Sequence, residues 1–153
     1  PKTDRTIKLT SGMMVGSWMG SHLTNDDLVK EARLEEDYTA EISFEGMREG
    51  QNIIEFSLVP KIDAAVVWGK LKLIVLADSN IPLVEYYYDE DFELARTIWF
   101  SDIQLLAGRQ RPAVLTVIPA DKPEELTQFI YKHLSLNVEL NDSLFSLSSL
   151  KKR

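Results

Sequence analysis

A mainly β, antiparallel fold is what this 153-residue sequence predicts, on three observations. Apolar and polar residues alternate with a period of two through most of the chain beyond residue 37, the pattern of half-buried strands. Turn-forming clusters break that alternation at hairpin spacing: Arg48-Glu49-Gly50, Asp78 to Pro82, Asp89-Glu90-Asp91 and Ala107 to Gln110. No long helical pattern separates the strands, so parallel crossovers have nothing to run through and the sheet should be antiparallel.

The elements follow in order. Thr6 to Leu9 alternate polar and apolar and predict a short strand. Gly12 to Gly20 carries glycine at every fourth position, with Met13, Met14, Met19 and Trp18 between. Glycine gives backbone freedom and methionine an adaptable apolar surface, so this segment reads as a pliable lid or hinge over a greasy cavity. The same four side chains would equally plug the domain's own core. Thr24 is an N-cap with Asp27 as its capping-box acid, and Leu23 and Leu28 occupy the staple positions. A helix is predicted from Asn25 to about Arg33, with a narrow apolar stripe.

From Asp37 the period becomes two, placing Tyr38, Ala40, Ile42 and Phe44 on one face. Asn52 to Val59 returns as the hairpin partner, ended by Pro60. Val66 to Ala77, Leu83 to Tyr88, Leu94 to Asp102, Ala113 to Ile118 and Leu126 to Val138 are the remaining predicted strands, about eight in all. Asn141 or Asp142 caps a short terminal helix carrying Leu144, Leu147 and Leu150, with Lys151-Lys152-Arg153 at its favourable end. The chain reads as one domain over residues 1–153. Its opening at Pro1, directly before strand-like residues, reads as an N-terminal crop. An exposed first strand would invite pairing with a second copy.

Composition narrows the function. With 17 basic and 24 acidic residues the net charge is −7, unsuited to neutralising nucleic-acid phosphates or to wholesale adhesion to an anionic membrane. No cysteine is present, which removes disulfides and thiolate metal sites. No apolar run is long enough to span a membrane. His22 and His133 lack the convergent partners a metal site needs, so no metal and no cofactor is expected. The acidic clusters Glu35-Glu36-Asp37 and Asp89-Glu90-Asp91 lack a calcium-loop pattern and read as solvated. Ser17 stands at the wrong spacing for a nucleophile elbow, and phosphate-cradling glycine loops are absent. No catalytic residue is assigned. Arg109 and Arg111, at a turn, are not interleaved with stacking aromatics as a single-strand binder needs. Trp68 shares parity with Lys70 and Lys72, so strict alternation puts it outward; Trp99 is a second candidate for an outward partner surface.

Four stretches resemble one family. Met19-Gly20-Ser21-His22-Leu23-Thr24-Asn25-Asp26-Asp27-Leu28 resembles the M-G-S-D-F-(S/T)-x-x-D-L signature of the outer-membrane lipoprotein-sorting family. Ile81 to Asp89 resembles its L-P-L-x-x-x-Y-Y-D hairpin, Arg96 to Asp102 its R-T-L-x-F-S-D strand, and Leu140 to Ser146 its closing L-D-D-S-L-F-S. The order is preserved and the matches extend over nearly the whole chain, as the C-terminal portion of a LolA/LolB-like domain. The resemblance implies an incomplete antiparallel β-barrel, a strongly curved sheet whose open side is covered by short helices and whose concavity holds acyl chains. It also implies a periplasmic location, a signal peptide removed with the missing N-terminus, and a lipid or lipidated-protein cargo, with a membrane transporter as a further partner. His22 departs from the family, which has aspartate there. LolA tethers its lid with an arginine; the lid segment here has none, so that detail is not carried over.

Acyl binding needs an inward aliphatic wall. Alternation offers Leu71, Leu73, Val75, Leu83, Tyr87, Ile98, Phe100, Leu115, Val117, Phe129 and Tyr131 for it, with Met13, Met14, Trp18 and Met19 as the lid. Three readings follow: a non-enzymatic lipid or lipoprotein carrier; an accessory module binding a protein of an export system through Trp68 and Trp99; and a hydrolase or lyase with an unrecognised carboxylate pair.

Overall fold

The computed structural model describes residues 13–14, 16–29, 34–64 and 66–150. The expected strand at residues 6–9, the helix end at residues 30–33 and the basic tail at residues 151–153 lie outside them. Two short helices, α1 (Asn25–Val29) and α2 (Leu34–Asp37), precede seven strands: β1 (Tyr38–Arg48), β2 (Gln51–Pro60), β3 (Lys70–Leu76), β4 (Pro82–Tyr88), β5 (Leu94–Leu106), β6 (Arg109–Pro119) and β7 (Thr127–Ile130). They form one sheet in sequence order, every neighbouring pair antiparallel. A 3₁₀ turn at Asp142–Phe145 and a last helix, α3 (Leu147–Leu150), follow. No helix among the described residues is long and apolar enough to cross a membrane.

Tight turns make this meander. β1–β2 closes through Glu49 (φ 51°) and Gly50 (φ 80°), β5–β6 through Ala107 (φ 48°) and Gly108 (φ 77°). Two successive left-handed residues match the twist of the flanking strands. The second turn is two residues long, so β5 and β6 extend well past the predicted Asp102 and Ala113.

Cross-strand register defines two faces. On one, Leu58, Leu71, Tyr87 and Arg96 form a row, beside Phe56, Leu73, Glu85, Ile98 and Val117. On the other, Glu55, Ile74, Val84, Trp99 and Thr116 line up. A core of Tyr38, Leu58 and Leu71 sits on the first face, with Leu34 of α2 packed on it. A second core of Ile53, Ile74 and Val84 backs the other. There the buried Glu55 accepts from Arg48 Nη1 at 2.8 Å and Ser43 Oγ at 2.9 Å, with Lys72 Nζ at 3.2 Å.

Two bulges and one late strand start redirect three expected side chains. The register slips between Ile42 and Phe44, so Phe44 leaves the face of Ile42 and packs on the Ile53 core. A second slip between Ile74 and Val75 leaves Leu83 unpaired, and Leu83 joins that same core rather than the inner wall. A single extra residue reverses every side chain beyond it. Trp68 is corrected for another reason: β3 starts only at Lys70, so strand parity never applied to it, and it packs inward against the Tyr38 core. Gly69 permits the close approach of the backbones just before β3. A Cβ there would collide with the carbonyl of Asp89, where Gly69 N–H donates to Tyr88 O at 3.0 Å. α2, which the alternation reading missed, is closed by Lys61 Nζ donating to the carbonyls of Glu35 (2.9 Å) and Glu36 (2.8 Å). β7 is four residues, not the predicted thirteen-residue stretch to Val138, and His133 lies beyond it, beside Ser135 Oγ at 3.1 Å.

Candidate functional site

The inner face encloses a cavity of about 440 Å³ beneath α1. Its floor is Leu71, Ile98, Phe100, Leu115 and Val117 on β3, β5 and β6, with Phe129 and Tyr131 at the β7 edge. Leu28 faces it from α1 and Leu23 from just before that helix, Leu34 and Tyr38 from α2 and β1, and Val66, Val67 and Trp68 from the β2–β3 connector. Eight wall residues named by alternation therefore meet there: Leu71, Tyr87, Ile98, Phe100, Leu115, Val117, Phe129 and Tyr131. Leu73 instead lies beside a small adjoining crevice with Leu58 and Glu85, and Val75 is 5% exposed outside the cavity.

The roof is built differently from the methionine lid expected. Ser17 and Thr24 form an isolated bridge, and Trp18 N–H donates to Leu23 O at 2.7 Å, so the segment folds back on itself. Its tip turns through Met19 (φ 51°) and Gly20 (φ 77°). That tip aims Met19 at solvent, 86% exposed, and Met13 is 42% exposed. Neither lines the cavity, and nor does the half-buried Met14. Trp18 holds the roof to the sheet edge, its ring 6.1 Å from that of Phe129. His22, the departure from the family pattern, has a structural place: its Nδ1 lies 2.9 Å from Thr127 Oγ1 and its Nε2 3.1 Å from Glu125.

One ion pair ties α1 to the sheet. Arg96, 4% exposed, points from β5 into the cavity. Its Nη1 and Nη2 donate to Asp27 Oδ2 and Oδ1, both at 2.7 Å. Such a two-pronged pair fixes orientation as well as distance. The guanidinium stacks against Tyr87 (4.2 Å) and Trp68 (4.6 Å). Asp27 closes the predicted capping box: it accepts Thr24 N–H at 2.7 Å, and its own N–H donates to Thr24 Oγ1 at 3.2 Å. Burial alone would raise the Asp27 carboxyl, but the Arg96 and Thr24 contacts outweigh it and hold its pKa below 3.8. Burial dominates at Glu85, pushing its carboxyl above the usual range, partly offset by the Tyr87 hydroxyl donating at 2.7 Å and by the Arg96 charge.

Sequence reasoning missed Arg96, Asp27 and Glu85 as site residues. The signal was present, because Asp27 and Arg96 both stand inside quoted family stretches; their meeting across 69 positions was not visible.

An open antiparallel meander with short helices over its concave face is the LolA-like, mainly β class. Solved structures place it there. A DUF1329 family protein from Desulfovibrio piger superposes with TM-score 0.80 at 21% identity, over 92% of this chain and 58% of that one. A putative outer membrane lipoprotein-sorting protein domain from Vibrio parahaemolyticus gives 0.75 at 21%, over 94% and 60%. A LolA superfamily protein from Nitrosomonas europaea gives 0.75 at 20%, over 97% and 64%. The chain thus spans less than two thirds of each neighbour, and the likeness is one of fold. No curated protein matches the sequence. Residues 1–152 match the model of a family described as "-like: Uncharacterized protein", and the chain belongs to that family.

Proposed function

We propose that this chain is a non-enzymatic carrier or sorting module, a single periplasmic domain that holds the acyl chains of a lipid or lipidated protein in its concavity. The observation that carries the reading is the cavity of about 440 Å³ with an aliphatic and aromatic wall, roofed by a helix pinned through Asp27 and Arg96. Its size falls within the ~300–1,000 Å³ of small-molecule sites. Each methylene buried contributes ~0.8 kcal/mol before ordering costs, so a chain of a dozen carbons needs no polar anchor to bind. The roof offers a route in: releasing the Arg96–Asp27 pair would loosen α1 from the sheet.

Native mass spectrometry of the mature protein, purified without detergent from its periplasm, tests this. A bound mass that organic extraction identifies as lipid or lipopeptide supports the carrier. A clean apo mass that takes up neither added phospholipid nor acylated peptide refutes it. A second reading, an accessory module of an export system without lipid cargo, is favoured by Trp99 alone, 46% exposed on the outer face. Loss of an exporter subunit on Trp99→Ser, with lipid uptake intact, would select that reading.

A further inference from the structure

A second cavity, of about 530 Å³, opens on the same face of the sheet. Phe100, Leu115 and Tyr131 line both it and the helix-roofed cavity. The two therefore adjoin, and together they follow β5 and β6 as a trough. From Arg96 to Leu106 at about 3.3 Å per residue it runs ~33 Å.

The far end has a different chemistry. Arg109 and Arg111 alternate inward from β6 with Leu115, and both line the second cavity, which has no carboxylate in its wall. Arg111 Nε is buried without a hydrogen-bond partner. Neither guanidinium has an ion pair among the described residues, whereas Arg96 at the roofed end, whose Nε is likewise buried without a partner, has its charge matched by Asp27. In a chain of net charge −7, two arginines lining one cavity without an acid are a site of unspent positive charge. A buried guanidinium nitrogen without a partner is costly and calls for an oxyanion.

We infer that the trough takes an anionic amphiphile, its phosphate or carboxylate head between Arg109 and Arg111 and its acyl chain running past Phe100 and Leu115 toward Ile98. The inference rests on the carrier reading and adds polarity to it: the head lies at the β5–β6 turn and the tail enters under α1. Arginine suits this task because its planar fork binds two oxygens of one head group.

The test compares two probes of identical chain, oleoyl lysophosphatidic acid and monooleoylglycerol, with inorganic phosphate as a third arm, by calorimetry on the full protein. The phosphorylated amphiphile is expected to bind about 10-fold tighter than the neutral one, the worth of one or more charge-assisted hydrogen bonds. Raising the salt concentration should narrow the gap. The double variant R109Q/R111Q should remove the preference for the phosphorylated amphiphile, with an unaltered melting temperature as the check on folding. R109K/R111K should restore part of it. Equal affinity for both amphiphiles in the native chain, or a preference that survives R109Q/R111Q, overturns the arginine head site while leaving the carrier reading standing. Failure of both amphiphiles to bind refutes the carrier and this inference together. Phosphate binding that the double variant abolishes, without uptake of either amphiphile, assigns the arginines to a free oxyanion and overturns the trough.

Discussion

Arg96 carries its charge into a largely buried position beneath α1, and Asp27 is what makes that tolerable. A buried guanidinium left alone is far more costly than a salt bridge is favourable, so the pair acts mainly through what its breakage exposes. Asp27→Asn should destabilise the fold by about 3 kcal/mol, the low end for breaking a buried pair, read by urea unfolding. The native pair should also show itself in pH dependence. The folded pKa of Asp27 is lowered, so its contribution is complete above 3.8, declines as pH falls below that value, and is gone below the folded pKa. Stability measured from pH 6 downward should fall more steeply in the native chain than in Asp27→Asn. Glu85 has the opposite sign. Its pKa is raised by burial, so stability is lost as pH climbs through the folded pKa and its carboxylate is forced to ionise. Glu85→Gln should melt higher than the native chain at pH 8, the gap closing near pH 4; a lower melting point at pH 8 would contradict the burial argument.

At the scale of elements, position depends on bulges and one glycine. Gly69 lets the start of β3 lie against the β4–β5 turn, and through it the connector places Trp68 over Tyr87, rings 5.2 Å apart. Gly69→Ala should cost about 1–3 kcal/mol by overpacking against backbone that cannot yield. It should also change Trp68 fluorescence as the ring shifts from Arg96. The hairpins and the Thr24–Asp27 cap were legible in the chain because turn and cap chemistry is local: Glu49-Gly50, Ala107-Gly108 and the Thr24-x-x-Asp27 spacing each act within a few residues. Bulges were not legible. Nothing near Ser43 or Leu83 in the sequence marks the extra residue, and each slip sends a predicted inner side chain to the outer core. The four-residue α2 and the early end of β7 escaped for a related reason, since runs this short carry no period to read.

For the molecule as a whole, the meander lays two adjoining cavities on one face of the sheet, and filling the helix-roofed one should separate binding from folding. Ile98→Trp should cut acyl-chain uptake at least 10-fold at a stability cost of about 1–3 kcal/mol, measured by displacement of a fluorescent fatty acid and by thermal melting. Undiminished uptake would place the acyl site elsewhere. The amino-acid order by itself determined the antiparallel class, the hairpin connections, and the wall residues that keep strict alternation, such as Ile98, Phe100, Leu115 and Val117, because period-two patterning and turn chemistry are properties of neighbours along the chain. Only the tertiary structure decided that Arg96 holds α1 through Asp27, that Met19 points to solvent, that Trp68 turns inward, and that Arg109 and Arg111 line a second cavity beside the roofed one. Those outcomes depend on register and on distances between residues tens of positions apart, and the long-range packing that sets them leaves no periodic trace in the sequence.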